Sequence, residues 1–214
     1  GQPCLAGSPR STFERIALGA CERKLKAGDT MDVSWEEPSF LWIVRSGVLL
    51  ALISSPSGRR VIVDVLRPRD FFGRMLCGNP STCTRELFVS VPSVIVGVPS
   101  SRWREAMDDH PGAWERMLAI QQRRAEEALR MRVLLTEGAA NRVLAIVSWL
   151  HGKIGDDMLL TRQMVADSAG VATETAIRTL APLEKKGWIQ TRRGRLRILR
   201  PQEIARLLER AGTP

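Results

Sequence analysis

Four residues near the end of the chain, Thr173, Glu174, Ile177 and Arg178, fall at i, i+1, i+4 and i+5. On a helix that spacing gathers them on one face near the N-terminus. An arginine there can donate two hydrogen bonds to guanine O6 and N7, and a glutamate can accept from cytosine N4. Each such contact contributes about 1–3 kcal/mol of base discrimination. Arg162 and Gln163 open a preceding helical stretch. Donors at a helix start suit phosphate oxygens. Beyond the helical pair, Arg192, Arg193, Arg195 and Arg197 surround Gly194. Arginines in that arrangement neutralise phosphates with no base preference and with strong salt dependence. The chemistry these residues suit is recognition of double-stranded DNA.

The surrounding elements are readable. Thr161 is placed to cap a helix over Arg162–Ser168, and Gly170 to end it in a left-handed turn. A second helix is predicted from about Thr173 to Lys186, stopping at Gly187. So short a connection sets the two at a steep angle, as in a helix-turn-helix. Val165, Ala169, Val171, Leu180 and Leu183 are the expected inner positions, with small Ala166 at the crossing. "WIQTRRGRLRIL" reads as a two-stranded wing turned by Gly194. Pro182 removes a hydrogen bond to the Arg178 carbonyl, which predicts a kink or loosening of the second helix. Ala176 and Thr179 are weak core choices.

Upstream the texture is β-rich. "FLWIVRSGVLLALIS" reads as two runs broken at Ser46-Gly47, "PSGRR" as a hairpin turn and "VIVDVL" as a strand. "RPRD" is a turn and "FF" a short strand ending at Gly73. "ELFVS" and "VIVGVP" read as two strands separated by Pro92-Ser93. Short strands with regular turns predict an antiparallel barrel or roll. A short helix over Ser11–Ala20 precedes it. A helix capped by Ser100 or Ser101 follows and stops before Pro111, and a long helix runs from Pro111 to about Glu137. Met117, Ile120, Arg124, Ala128 or Leu129, Met131 and Leu135 line one side of the long helix, which suits a dimer seam. Gly138 ends it, and Val143, Leu144, Val147 and Leu150 face inward on the next helix. The expected organisation is a sensor domain over 1–110, a dimerisation helix over 111–137 and a DNA-binding domain over 138–214.

Composition bounds the alternatives. The chain has 214 residues, 44% of them hydrophobic, and a formal net charge of +9. From Ala139 to Pro214 there are 13 Lys/Arg against 7 Asp/Glu, so six of the surplus positive charges lie in the last third. No apolar run approaches the roughly 20 residues needed to span a bilayer, and no secretory signal is visible. A soluble cytoplasmic protein without a membrane partner is expected. Cys4, Cys21, Cys77 and Cys83 include no CxxC pair, and His110 and His151 lack metal-ligand spacing. No phosphate loop, nucleophile–base pair or histidine cluster supports an enzyme.

Barrel, long helix and winged helix-turn-helix together resemble the cAMP receptor protein/fumarate-nitrate reduction regulator (Crp/Fnr) superfamily of bacterial transcription factors. The resemblance covers about residues 12–200. It is strongest in "RSGVLLALISSPSGRRVIVDVLRPRDFFG" and "LTRQMVADSAGVATETAIRTLAPLEKKGWI". It implies an α+β fold: an N-terminal antiparallel β-roll of the cyclic-nucleotide-binding, jelly-roll type, the long dimerisation helix and the winged helix-turn-helix. The family's E-T-x-x-R pattern falls on Glu174, Thr175 and Arg178. It implies a homodimer on a pseudo-palindromic duplex with TGA-like half-sites, and RNA polymerase as a protein partner. Ala172 stands where the family often has a capping Ser or Thr, so Thr173 is expected to take over the cap. Ile177 stands where Gly or Ser is common and can meet a thymine methyl.

The resemblance also locates an effector pocket, and there the chain departs. Cyclic-nucleotide binders use a Gly-Glu and an Arg-Ser pair; here these positions read Gly73-Arg74 and Cys83-Thr84. Arg85 lies one residue on, and on a strand points to the other face. Ala128 and Leu129 stand where a cAMP binder places hydroxyls for adenine. The expected signal is therefore not cAMP, although Arg74 or Arg85 can hold another anion. Four thiolates would suffice for an iron–sulfur cluster, and Cys77 with Cys83 for a dithiol switch. Both remain open beside the plain reading of small buried hydrophobes. Haem is disfavoured because neither histidine lies in the barrel. The alternative function is a ligand-binding regulatory subunit whose barrel acts on a protein partner; the arginine-lined wing argues against it.

Overall fold

The computed structural model describes residues 16–32, 40–55, 57–73 and 85–211. The chain forms two compact units, 1–51 with 66–126, and 52–65 with 127–214.

The sheet is built from β1 (Cys21–Leu25), β2 (Thr30–Asp32), β3 (Phe40–Ser54), β4 (Arg60–Leu66), β5 (Phe71–Gly73) and β6 (Arg85–Pro99). Its order is β1-β6-β3-β4, with β2 also on β6 and β5 on β3. β1 runs antiparallel to β6 from Cys21 opposite Gly97 to Leu25 opposite Ser93. Alternation along β3 divides the core in two. Leu41 and Ile43 join Phe71 and Val98, with Trp103, Ala106 and Met107 of helix α1 (Ser100–Asp108) and Ala113 and Met117 of helix α2 (Pro111–Val133). Trp42 and Val44 point the other way, to Leu49, Leu87, Val89 and Ile95.

β3 and β6 are each one continuous strand of 15 residues. The expected breaks at Ser46-Gly47 and Pro92-Ser93 are bends that meet. Gly47 has φ +89°, and a Cβ there would lie 2.1 Å from Ser93 Oγ and 2.6 Å from the Pro92 carbonyl. Ser93 Oγ accepts from the Val48 N–H (3.1 Å) and donates to the Val91 carbonyl (2.7 Å). Turn-forming residues here bend two paired strands instead of ending them. The hairpin at "PSGRR" closes through Ser55 N–H to Arg59 O, and the "RPRD" turn through Asp70 N–H to Arg67 O. The N-cap of α1 is Pro99, so Ser100 and Ser101 lie inside the helix and not at its cap. Ile16 and Ala17 are helical and Leu18, Gly19 and Ala20 are not; residues 11–15 of the expected first helix lie outside the described residues.

α2 ends at Val133 and a 3-10 turn covers Leu134–Thr136. The stripe expected on α2 divides. Met117 is buried and Ile120 packs on the first core, while Arg124 donates to the Phe71 carbonyl (3.1 Å). Further along the stripe Ala128, Leu129 and Leu135 are exposed and Met131 is half-buried; Leu118 and Val133, outside the expected stripe, are large exposed apolar residues as well.

The second unit contains α3 (Ala139–Ile154), β7 (Asp157–Met158), α4 (Arg162–Ala169), α5 (Thr173–Lys185), β8 (Ile189–Arg192), β9 (Arg195–Ile198) and α6 (Pro201–Arg210). α3 packs on α4, α5 and α6 through an apolar face that includes Val143, Val147 and Leu150. The three strands order as β7-β9-β8. α5 continues through Pro182 to Lys185 without an early end. Both Pro182 and Arg178 are exposed. Water can therefore take the carbonyl that the proline leaves without an amide partner.

Candidate nucleic-acid interface

The helix pair is fixed by local chemistry. Thr161 Oγ1 accepts from the Met164 N–H (3.1 Å) at the start of α4. Gly170 ends α4 at φ 62°, ψ 39°, a left-handed conformation that costs glycine little. Arg142 of α3 reaches around this turn, donating to the carbonyls of Leu135 (3.2 Å) and Gly170 (3.3 Å). Val165, Ala166, Ala169, Val171, Leu180 and Leu183 are all buried.

Burying Ala176, Leu180 and Leu183 turns the opposite face of α5 outward. Glu174, Ile177 and Arg178 are exposed there, and Thr173 is half-buried. Ile177 is 40% exposed, an apolar side chain left on an otherwise polar face. Thr173 is not the cap. Ala172 occupies the N-cap with no side-chain bond, and the Thr173 hydroxyl donates sideways to Gln163 Oε1 (2.5 Å). Gln163 Nε2 donates in turn to Asp167 Oδ1 (2.7 Å). Thr179 uses its hydroxyl on the Thr175 carbonyl (2.8 Å), and Ala176 is fully buried, so both fit their places in a small core.

Arg162 lies beside the wing. Its Nη2 donates to Thr191 Oγ1 (2.5 Å) and lies 3.6 Å from Glu184. Glu184 Oε1 accepts from both the hydroxyl (2.7 Å) and the N–H (2.8 Å) of Thr191. These bonds, first the hydroxyl and then the amide, hold the Glu184 carboxyl below the usual carboxylate range; partial burial opposes them and the Arg162 charge adds to them. One cluster thus joins the start of α4, the end of α5 and the first strand of the wing. Gly194 turns the wing at φ 72°, with Arg192 opposite Arg195. Arg192, Arg193, Arg195 and Arg197 are exposed while Leu196 and Ile198 are buried. Arg195 also lies 3.4 Å from Asp157.

Asp167, Glu184 and Thr191 were not singled out by the sequence. Gln163 lies four residues before Asp167 on the same helix, a spacing at which side chains meet, whereas the partners of Glu184 and Thr191 are brought together only by the fold. Gly73 ends β5 at φ +117°, where a Cβ would lie 3.0 Å from the Phe40 carbonyl. Arg74 and Thr84 lie outside the described residues, and so does the side chain of Arg85. Ala128 and Leu129 are exposed on α2. Of the cysteines, Cys4, Cys77 and Cys83 lie outside the described residues, and Cys21 is half-buried in β1 beside Trp42.

Residues 22–110 match the family model described as a cyclic nucleotide-binding domain, and residues 131–207 match the Crp-like helix-turn-helix domain. The chain belongs to the Crp/Fnr family. Its relatives in this family are transcription factors, not enzymes. Crp/Fnr regulators bind DNA and act as dimers. The chain is similar to the transcriptional activator protein FnrL of Cereibacter sphaeroides, 27% identical over 94% of this chain and 84% of the relative. Its fold resembles that of FixK2 from Bradyrhizobium japonicum (TM-score 0.69, 20% identity, 88% and 96% of the two chains). It also resembles a Crp/Fnr-family protein from Eubacterium rectale (TM-score 0.73, 16% identity, 97% and 98%). Among the described residues no helix is long and apolar enough to cross a membrane.

Proposed function

We propose that this Crp/Fnr-type regulator works as a homodimer that reads a pseudo-palindromic duplex, each copy placing α5 in the major groove, under a signal other than cAMP. The observation that carries the reading is the outward face of α5. Glu174, Ile177 and Arg178 are exposed on the N-terminal half of a helix whose other side is core. Arg178 is assigned a guanine, Glu174 a cytosine N4 and Ile177 a thymine methyl, consistent with TGA-like half-sites. Thr173, Arg162 and Gln163 border the same surface, and Arg192 and Arg193 extend it towards flanking phosphates.

A second copy covers Leu118, Leu129 and Val133 of α2, three exposed apolar residues along one helix. The signal reading rests on Gly73-Arg74 and Cys83-Thr84, which replace the acid and the arginine that a cyclic nucleotide needs. Cys77 and Cys83 are the chain's own candidates for a redox signal. Two thiols closing to a disulfide would reduce one peroxide to two waters. Similarity to a relative named as a transcriptional activator favours activation, through contact with RNA polymerase.

The test is duplex binding. A randomised duplex pool selected with the full chain should yield an inverted repeat, and affinity should fall steeply between low and high salt. Arg178→Ala should relax preference at one base pair, while Arg193→Ala should weaken all sequences alike. Identical profiles for the two variants would overturn the assignment, and a micromolar affinity for cAMP would overturn the signal reading.

A further inference from the structure

Asp167 is the buried charged residue among those described, with 8% of its surface exposed. A carboxylate in such a place requires partners. Its two oxygens are divided between two elements. Oδ1 accepts from Gln163 Nε2 (2.7 Å). Oδ2 faces the backbone N–H of Arg60 (3.4 Å), in the 52–65 hairpin arm that belongs to the same compact unit. Beside it, Ser168 Oγ accepts from the Ile62 N–H (3.1 Å). β4 is the end strand in the sheet order, so these alternate amides lie on its open edge and α4 supplies their acceptors. The arm thereby fixes the rotation of the Asp167 carboxylate.

That rotation has a consequence for Gln163. An ionised carboxylate only accepts. Gln163 must turn its NH₂ to Asp167 and its carbonyl to Thr173, whose hydroxyl then donates to it (2.5 Å). Thr173 is the first residue of α5 and the neighbour of Glu174. Ala172, at the N-cap, offers no side-chain acceptor. The Thr173–Gln163 bond therefore ties the first turn of α5 to α4 where no cap does so.

We propose that Asp167 is a positioning residue for DNA recognition: it sets the polarity of the Gln163 amide and, through Gln163 and Thr173, fixes where Glu174 meets its base pair. The proposal rests on the reading of α5 as the helix that enters the groove. It assigns Asp167 no contact with DNA.

The test uses the full-length chain and single-base variants of the duplex that the wild type selects. Glu174→Ala identifies the base pair read by Glu174, and the readout is the ratio of Kd values for the substituted and preferred base there. Asp167→Ala and Thr173→Val should each lower that ratio roughly fivefold to tenfold, a part of what one good base contact supplies. The double variant should lower it no further than either alone, because both cut one relay. Thr173→Ser, which keeps the hydroxyl, should preserve the ratio. In a Gln163→Met background, Asp167→Ala should have no further effect on it. If Asp167→Ala lowers Tm and weakens all duplexes alike with the ratio intact, its role is structural and the proposal fails. Multiplicative losses in the double variant overturn it too, since they show no relay. If neither Glu174→Ala nor Arg178→Ala alters any preference, α5 is not the reading helix, and the proposal falls with that assignment.

Discussion

Glu184 shows how a single carboxylate can tie three elements of the second unit together. Its bonds to both polar groups of Thr191 anchor the wing to α5, and Arg162 closes the cluster from α4. These partners favour the ionised form, so the folded pKa lies below the unfolded value of about 4.3. A depressed carboxylate contributes stability that is present in full above its unfolded pKa and is lost as pH falls through the folded one. Glu184→Gln should therefore cost about 1 kcal/mol at neutral pH, a low figure for a charge-assisted bond because over a third of the side chain is exposed. Urea midpoints for wild type and variant should differ by a constant amount down to about pH 5 and converge below about pH 4. A gap that persists unchanged to acid would show that the carboxylate's charge contributes nothing to the cluster. Asp167 is the contrasting case, a carboxylate buried under partners from two elements, whose effect on base selection is expected to be indirect.

The elements were legible where their rules are local. Thr161 and Gly170 carry their capping chemistry in their own side chain or its lack, and α4 runs between them as expected. β5 ends at Gly73 and the wing turns at Gly194 for the same reason. What misled was turn chemistry used for another purpose. Ser46-Gly47 and Pro92-Ser93 look like chain reversals, yet they are opposed bends in two long strands, and their complementarity spans about 45 residues, which no local pattern reveals. The cap at Thr173 failed for a similar reason, because its hydroxyl found Gln163 on another helix. Arg124 falls on the stripe whose spacing suits a seam, yet it donates to the Phe71 carbonyl, a partner known only once the strand is in place. The bend at Gly47 yields a stability prediction. An alanine there combines a positive φ with backbone atoms at 2.6 Å from the new Cβ. Gly47→Ala should destabilise the sheet by roughly 2–3 kcal/mol. Chemical denaturation measures it, and a loss below about 0.5 kcal/mol, the range of ordinary surface changes, would contradict the bend as described.

At the scale of the molecule, the proposed reading of two half-sites requires two copies, and the proposal gives α2 the surface that joins them. Leu118 and Leu129 are 67% and 61% exposed, and Val133 follows one turn later. Met117 and Ile120, by contrast, are used by the first core. A helix that packs one side on its own sheet while leaving leucines outward on another has unburied apolar surface, and a second α2 can cover it in the manner of a coiled coil. On that reading the +9 charge draws each copy towards DNA without choosing a sequence, and specificity comes from both copies of α5 engaging together. Joining the two copies makes the second contact effectively intramolecular, which raises affinity by about 10²–10⁴ over a single copy. Leu118→Glu with Leu129→Glu should therefore leave helix content unchanged and shift the sedimenting species from dimer to monomer. Binding to the selected inverted repeat should weaken at least ~100-fold, while binding to an isolated half-site changes little. A variant that still sediments as a dimer would place the interface elsewhere. A monomer that binds the full repeat as tightly as wild type would mean that one copy reads DNA alone.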